Sequence, residues 1–434
     1  MPGNFRSGSV LLLAAVLVMV WSACGGGFIL RSGLAQATHP QAGRGTLPEP
    51  SPPAVPEPPA AIPGPALSGG AEGNPGPAGQ NPPDGGAAPE VRRVTLAAVG
   101  DVLIHSSIYK DARTSRGYDF RPMLARVKPY LEEADIAMAN QESMIGGEEL
   151  GLSDYPRFNS PFEIGDALKE AGIDVVNLAN NHTLDGGPAA VLRAIGHWKQ
   201  IGMMYTGAFA SAEDEQTLRI MTKNGITLSF LSYTYGTNGI SVPRDKPYLV
   251  SLIDGKKVAA DIARARQASD AVIVNVHFGT EYEQMPNSAQ RRFAQLAADA
   301  GAAVIIGHHP HVLQPAEWVR TPSGDRAFVI YSLGNFLAGQ EGARERTGGI
   351  LQLDLLKTVQ AGRSRVTVEN PRFLPTWISR IGWRHYQVLP LAETPATQLS
   401  DVPSRLRETE QHLTQRMPEL RFMRPGEDGT SRSP

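Results

Sequence analysis

Residues 305–314 read IIGHHPHVLQ, and residues 178–187 read LANNHTLDGG. In each, an apolar, strand-like run stops abruptly and histidines follow. The chain holds only ten histidines, so their placement at the exits of buried strands calls for an explanation. A lone histidine after a strand is usually a satisfied core or surface residue. Three around one proline have few structural excuses. In open α/β sheets, functional groups gather at the carboxyl ends of the strands.

Outward from these two stretches the same pattern recurs. RVTLAAVGD (93–101), DIAMANQES (135–143), IDVVNLANNH (173–182), GITLSFLSYTYG (225–236), AVIVNVHFG (271–279) and AAVIIGHHPH (302–311) read as buried strands. Helical spacing falls at 120–134, 161–172, 188–201, 257–268 and 288–300. Strands alternating with helices as far as Gly301 predict an α/β fold with a largely parallel sheet. The later runs AFVIYSLGNF (327–336), GGILQLDLL (348–356), RVTVENPRFLPTWI (365–378) and YQVLPL (386–391) lack intervening helices and predict antiparallel strands.

The polar residues at these exits form an ordered series. They are Asp101, then Asn140 and Glu142, then Asn181 and His182, with Asp185 shortly after. His277 follows with Glu281 behind it, then His308, His309 and His311, and last Asn335. Carboxylates and an amide carbonyl are hard oxygen donors, and imidazole adds affinity for Mn, Fe, Zn or Co. One such ion lowers the pKa of a bound water; two can clamp both oxygens of a phosphoryl transfer. An adjacent Asn-His pair suits a division of labour, one binding metal and the other giving a proton to a leaving group.

Composition narrows the alternatives. A formal charge of −2 lacks the basic excess of a nucleic-acid binder. The single cysteine, Cys24, excludes an internal disulfide framework and a cysteine-based zinc site. Between Arg6 and Arg31 the chain is uncharged and long enough to span a bilayer. The leading expectation is an uncleaved signal-anchor; a lipoprotein signal ending at Cys24 and cleavage after Ala37 stay open. Each reading places the rest of the chain outside the cytoplasm. Residues 38–91 are dominated by Pro, Gly and Ala and cannot bury enough apolar surface to order, so they predict a disordered spacer. The expected organisation is a signal segment (1–37), the linker (38–91), a folded domain (92–393) and a polar tail with one helix (394–434).

The motifs AVGDVLIH, ANQES, NLANNHTLDGG, HFGTEY, GHHPHVLQPAE and YSLGNF, in that order, resemble the CapA (PgsA) family of poly-γ-glutamate capsule-synthesis proteins. That family is itself similar to calcineurin-like metallophosphoesterases. The resemblance covers about residues 94–337. It implies a four-layer α/β/β/α metallophosphatase-like sandwich behind an N-terminal membrane helix. It implies metal ligation by Asp101, Glu142, Asn181, His277, His309 and His311, with His182 as general acid. Asn140, Asp185, Glu281, His308 and Asn335 would support the ligands or contact substrate. The first motif departs from the Asp-x-His of true phosphoesterases, so the expectation is one or two divalent ions. The implied role is synthesis, export or anchoring of a capsule polymer through a metal-dependent hydrolase-type site. Partners would be the membrane, an anionic capsule polymer or phosphoester, and other capsule-synthesis membrane proteins. A non-catalytic polymer-handling scaffold and a secreted phosphoesterase unrelated to capsule are the alternatives.

Overall fold

Alternating side chains on the first strand set the layers. In β1 (Glu90–Leu103), Ala97 and Val99 join one apolar core while Leu96 and Ala98 join another on the opposite face. Such two-sided burial requires cover on both faces of a sheet. The computed structural model describes residues 89–426. The expected signal segment, nearly all of the linker and the last eight residues lie outside that range. Among the described residues no helix is long and apolar enough to cross a membrane.

After β1 come β2 (Ile136–Gln141), β3 (Val175–Asn177), β4 (Met204–Thr206), β5 (Arg219–Lys223), β6 (Ile226–Thr234) and β7 (Ala271–His277). Then follow β8 (Val304–His308), β9 (Leu313–Arg320), β10 (Arg326–Leu333), β11 (Asn335–Ala338), β12 (Thr347–Gln360), β13 (Arg363–Ile381) and β14 (Arg384–Pro390). One sheet runs β14-β13-β12-β1-β2-β3-β4, with β11 also paired to β1. The other runs β9-β10-β8-β7-β6-β5. Pairs β1/β2, β2/β3 and β3/β4 are parallel in the first sheet, as are β6/β7, β7/β8 and β8/β10 in the second.

The main helices are α1 (Glu163–Glu170), α2 (Gly187–Gln200), α3 (Gly255–Ala268), α4 (Ser288–Ala300) and α5 (Val402–Leu413). Ile164 and Leu168 of α1, with Ile195 and Trp198 of α2, pack on the outer face of the first sheet. Val258 and Ile262 of α3, with Phe293 and Ala297 of α4, cover the outer face of the second. Between the sheets lie Leu96, Met138 and Val175 from one, and Phe230, Ile273, Ile306 and Ile330 from the other. Helices, sheet, sheet and helices therefore succeed one another.

Three expectations differ from the observed elements. The run at 327–336, expected as an antiparallel strand, is split at Gly334: β10 lies parallel to β8 and antiparallel to β9, and β11 lies parallel to β1. The helical run at 120–134 is two short helices, Arg121–Leu124 and Lys128–Glu132. Pro129 lacks an amide hydrogen to continue the earlier helix. The segment after residue 393 does contain the expected helix, but it is built into the domain rather than trailing from it. Leu413, Met417 and Leu420 enter the inter-sheet core, and Arg421–Phe422 pairs with β13. Its apolar residues are widely spaced among charges, which hid this docking from the sequence.

The exits of β1 and β10, which carry Asp101 and Asn335, are held in place by close backbone contact. Asp101 N donates to Gly334 O at 2.9 Å, and a Cβ on Gly100 would lie 1.8 Å from that same oxygen. Only glycine lets β1 approach the β10–β11 turn. Gly100→Ala is therefore expected to cost about 2 kcal/mol or more, read as a lower midpoint in urea unfolding.

Candidate metal centre

The carboxyl ends of β1, β2, β3, β7 and β8 point to one edge, and each carries side chains of the series. Asp101 lies near the end of β1, paired in register with Asn140 on β2 and Asn335 on β11. Glu142 follows β2 by one residue, and His277 closes β7. His309 and His311 occupy the turn after β8 with φ of 100° and 58°. Left-handed backbone at two β-carbon-bearing residues is costly and is characteristic of functional sites. Here it turns both rings toward the other sheet.

Asp101, Glu142, His277, His309 and His311 converge while being almost wholly buried. Two groups of ligand atoms lie within 4.8 Å of one another: Asp101, Glu142 and His277, and Glu142, His309 and His311. Glu142 belongs to both. His277 Nε2 stands 3.5 Å and His311 Nε2 3.7 Å from Glu142 Oε1. Ligands about 2.1 Å from a shared ion stand roughly 3.0–3.4 Å apart, so these gaps are close to ligand–ligand edges. Both Glu142 oxygens and His309 Nδ1 are buried without any hydrogen-bond partner. Buried polar atoms left unpaired are rare and call for an unseen partner. A cation suits this donor set of carboxylate and imidazole.

Asn181 turns its amide to extend this set. Its Nδ2 donates to Asn238 Oδ1 at 3.2 Å, leaving Oδ1 2.7 Å from His277 Nε2. Asn140 Nδ2 donates to Asp101 Oδ1 at 2.7 Å and lies 3.3 Å from His277 Nδ1, while its carbonyl accepts from Asn177 Nδ2 at 2.8 Å. This amide chain ties two prospective ligands together; outer partners of this sort orient metal-binding groups. Asn335 Oδ1 meets His311 Nδ1 at 3.0 Å, and its own amide donates to Gln340 Oε1 and Glu345 O.

His182 stands beside the cluster. Its Nδ1 donates to Asp185 Oδ2 at 2.6 Å, and the same oxygen accepts from Phe158 N at 2.7 Å. The Phe158 ring meets the imidazole edge-on at 4.8 Å. With Nδ1 committed to Asp185, Nε2 is the nitrogen free to exchange a proton. His308 is buried against Asp101 at the edge of the cluster. Its Nδ1 is 3.4 Å from Asp101 Oδ1 in a geometry that falls short of a hydrogen bond, and neither ring nitrogen has a partner. Glu281 is exposed at the mouth and makes no direct contact with the cluster.

Four further side chains shape the site without having stood out in the sequence. Tyr235 lies parallel to His277 and has its ring centre 4.8 Å from that of His309. Tyr282 has left-handed backbone (φ 67°) and lies 6.3 Å from the His311 ring. Asn177 and Asn238 hold Asn140 and Asn181 respectively. A polar residue inside the strand VVNLAN could have pointed to Asn177; Tyr235 and Asn238 carried no such mark.

Burial pushes Glu142 well above the usual carboxylate range and His277 well below the usual imidazole range. Burial also lowers His309, to about 3. Burial acts to lower His311 too, but the charges of Glu142 and Asp101 carry it up to about 9. Burial acts to raise Asp101, yet the neighbouring His308 and His311 hold it well below its usual value.

The sequence matches the profile of the family described as bacterial capsule synthesis protein PGA_cap over residues 95–340. The chain belongs to that family. It is similar to the Capsule biosynthesis protein CapA of Bacillus anthracis, 29% identical over 277 residues, covering 61% of this chain and 65% of that one. The PGA biosynthesis protein CapA of Bacillus subtilis (strain 168) is 28% identical over 282 residues, 63% of this chain and 70% of its own length. The match thus spans just under two thirds of the first of these relatives. Among solved structures, the NAD nucleotidase of Haemophilus influenzae aligns with TM-score 0.41 and 12% identity over 77% of this chain and 64% of that one. The chain is thus a member of a capsule-synthesis family with a mixed α/β fold and a buried donor set compatible with metal.

Because Glu142 is common to both ligand groups, Glu142→Gln should abolish most Mn²⁺ retained after dialysis. Asp101→Asn, which touches one group, should remove about half or less; elemental analysis reads both. In chelator, the unfolded-state imidazoles titrate near about 6.5. His309, lowered in the fold, makes stability rise with pH up to that value. His311, raised in the fold, makes stability fall as pH climbs toward about 9. Glu142, raised in the fold, also loses stability as pH climbs, so the metal-free melting temperature should be higher at pH 7 than at pH 9.5.

Proposed function

We propose that the chain is an extracytoplasmic, membrane-tethered protein in the production, export or anchoring of poly-γ-glutamate or a related capsule polymer. Its site would be a metal-dependent hydrolase of metallophosphatase type. The observation that carries this reading is the buried, doubly shared Glu142 with two unpartnered oxygens, standing in a cluster flanked by a free-edged imidazole. Membership of the capsule-synthesis family supports the polymer context. The uncharged N-terminal run followed by a Pro/Gly-rich spacer supports the tether.

Asp101, Glu142, Asn181, His277, His309 and His311 would hold one or two divalent ions from the Mn, Fe, Zn and Co group. Such an ion, when bound, supplies Lewis acidity and lowers the pKa of a water toward neutrality. The chain's own part is to place the donors, exclude bulk water and move a proton. The Asp185 carboxylate accepts from His182 Nδ1 and orients the ring so that, in its imidazolium form, the Nε2 proton faces a leaving group and passes to it as the bond breaks. The Phe158 ring limits rotation of that imidazole. The preferred substrate bond is a phosphoester; an amide is the second choice.

The full-length chain loaded with Mn²⁺ should hydrolyse generic phosphodiesters. His182→Ala should lower kcat by about 10²–10⁴-fold with bound metal unchanged. Equal turnover by the two proteins would remove the proton-donor role. Full metal loading with no turnover on phosphoesters or γ-linked amides would instead favour a polymer-handling scaffold.

A further inference from the structure

Exposed aromatic surface is gathered at one edge of the domain. Among the described residues the exposed tyrosine, tryptophan and phenylalanine rings are those of Tyr155, Tyr235, Tyr282 and Trp383. Tyr235 and Tyr282 stand beside His309 and His311. Tyr155 lies in the loop leading to Phe158, whose ring meets His182. Trp383 sits at the turn between β13 and β14. That turn rises from the same edge, because the last part of β13 pairs with the start of β12 and Tyr386 Oη meets Ser107 Oγ, just past β1, at 2.8 Å.

The turn is built against local preference. Gly382 and Trp383 both have positive φ, 54° and 65°, as in the tight hairpin turns that favour asparagine and glycine. A bulky ring is strained in that backbone. The core does not compensate it, since Trp383 is 43% exposed and Ile381 beside it 66%. The indole packs instead on Arg380, whose guanidinium carbon lies 3.6 Å from the ring centre. Strain held at an exposed side chain points to a use outside the fold.

Three guanidiniums meet at this corner. Arg346 donates to Ile378 O and Gln398 Oε1, Arg380 donates to Tyr386 Oη, and Arg384 is exposed. Among the described residues none of the three has an acidic partner. An indole and an aliphatic side chain on a protruding tip, ringed by unanswered positive charge, match a lipid–water interface. Indole rings settle at headgroup level, apolar side chains enter the acyl boundary, and arginines meet anionic headgroups.

We propose that the β13–β14 turn is a lipid-contacting tip that seats the metal-bearing edge of the domain on an anionic bilayer. Ile381 and Trp383 enter the headgroup layer, and Arg380 and Arg384 meet lipid phosphates. The contact is separate from anchorage by the N-terminal run and does not rest on the reaction proposed above. The chain enters at Glu90, on the opposite edge. Residues 38–88, extended at about 3.1 Å per residue, would cover roughly 150 Å, enough slack for the domain to turn this edge toward the membrane.

The test reconstitutes the full-length chain into vesicles of phosphatidylcholine and phosphatidylglycerol and compares tryptophan emission with brominated and ordinary acyl chains. Bromine quenches rings that lie at the lipid. The wild type should show a quenched component that Trp383→Phe lacks, which separates Trp383 from Trp21 and the buried indoles. A tryptophan at the far end of the same strands, Gln360→Trp in the Trp383→Phe chain, should escape quenching. Arg384→Glu, which leaves the Arg380–Trp383 stack in place, should shrink the component about threefold or more, as should vesicles of phosphatidylcholine alone. Equal quenching of wild type and Trp383→Phe would overturn the contact, even where flotation shows the chain held on the vesicles, an outcome that leaves the N-terminal tether standing. Quenching indifferent to Arg384→Glu and to lipid charge, or equal at Gln360→Trp, would overturn it too. Shielding of Trp383 from acrylamide that grows with protein concentration in lipid-free detergent would assign the tip to a second copy of the chain and overturn the lipid contact.

Discussion

A carboxylate buried with neither oxygen hydrogen-bonded is the condition on which the site is built. Glu142 occupies that position, and desolvating an unpaired ionised carboxylate is far too costly for a fold to sustain alone. Against its own burial, His311 is drawn toward its protonated form by the charges of Glu142 and Asp101, while burial drives His277 and His309 to the neutral form that ligates metal. One protonated imidazole only partly compensates two buried carboxylates. A divalent cation would complete the compensation and satisfy the orphaned oxygens together.

The two sheets make this convergence possible. Each parallel strand ends at the same edge, so residues far apart in sequence arrive on facing surfaces. Asn140 and Asp101 come from one sheet, and His277 and the 308–311 turn from the other. Asn140 links the two layers by touching both Asp101 and His277. The left-handed turn at His309 and His311, and the glycine contact between β1 and Gly334, are local strains that the surrounding sheet holds in place.

Much of this was legible in the sequence because each functional group sits at or shortly beyond the end of its own strand. The run of apolar residues announces the strand, and the abrupt polar exit announces the site. Asp101, Glu142, His277 and the GHHPH turn all follow that rule. Features that depend on tertiary approach left no such trace. Asn238 reaches the cluster from the loop after β6; Tyr235 stands directly at that strand's exit beside His277, but an aromatic there reads as core packing. The docking of α5 rests on a few apolar residues scattered among charges, so its sequence resembles a solvated tail. Glu281 shows the opposite limit: proximity in a motif placed it near the mouth without bringing it into contact.

The pairing of β1 has a mechanical consequence. The chain preceding residue 90 enters the domain at the end of β1 remote from Asp101, and β1 lies antiparallel to β12 along most of its length. A pull applied through that preceding segment would act along the strand axis and load these backbone hydrogen bonds in shear, all together rather than one at a time. Tension would then be borne by the β1–β12 ladder before it reached the residues around Asp101. A load entering at residue 90 would thus leave the working edge undistorted.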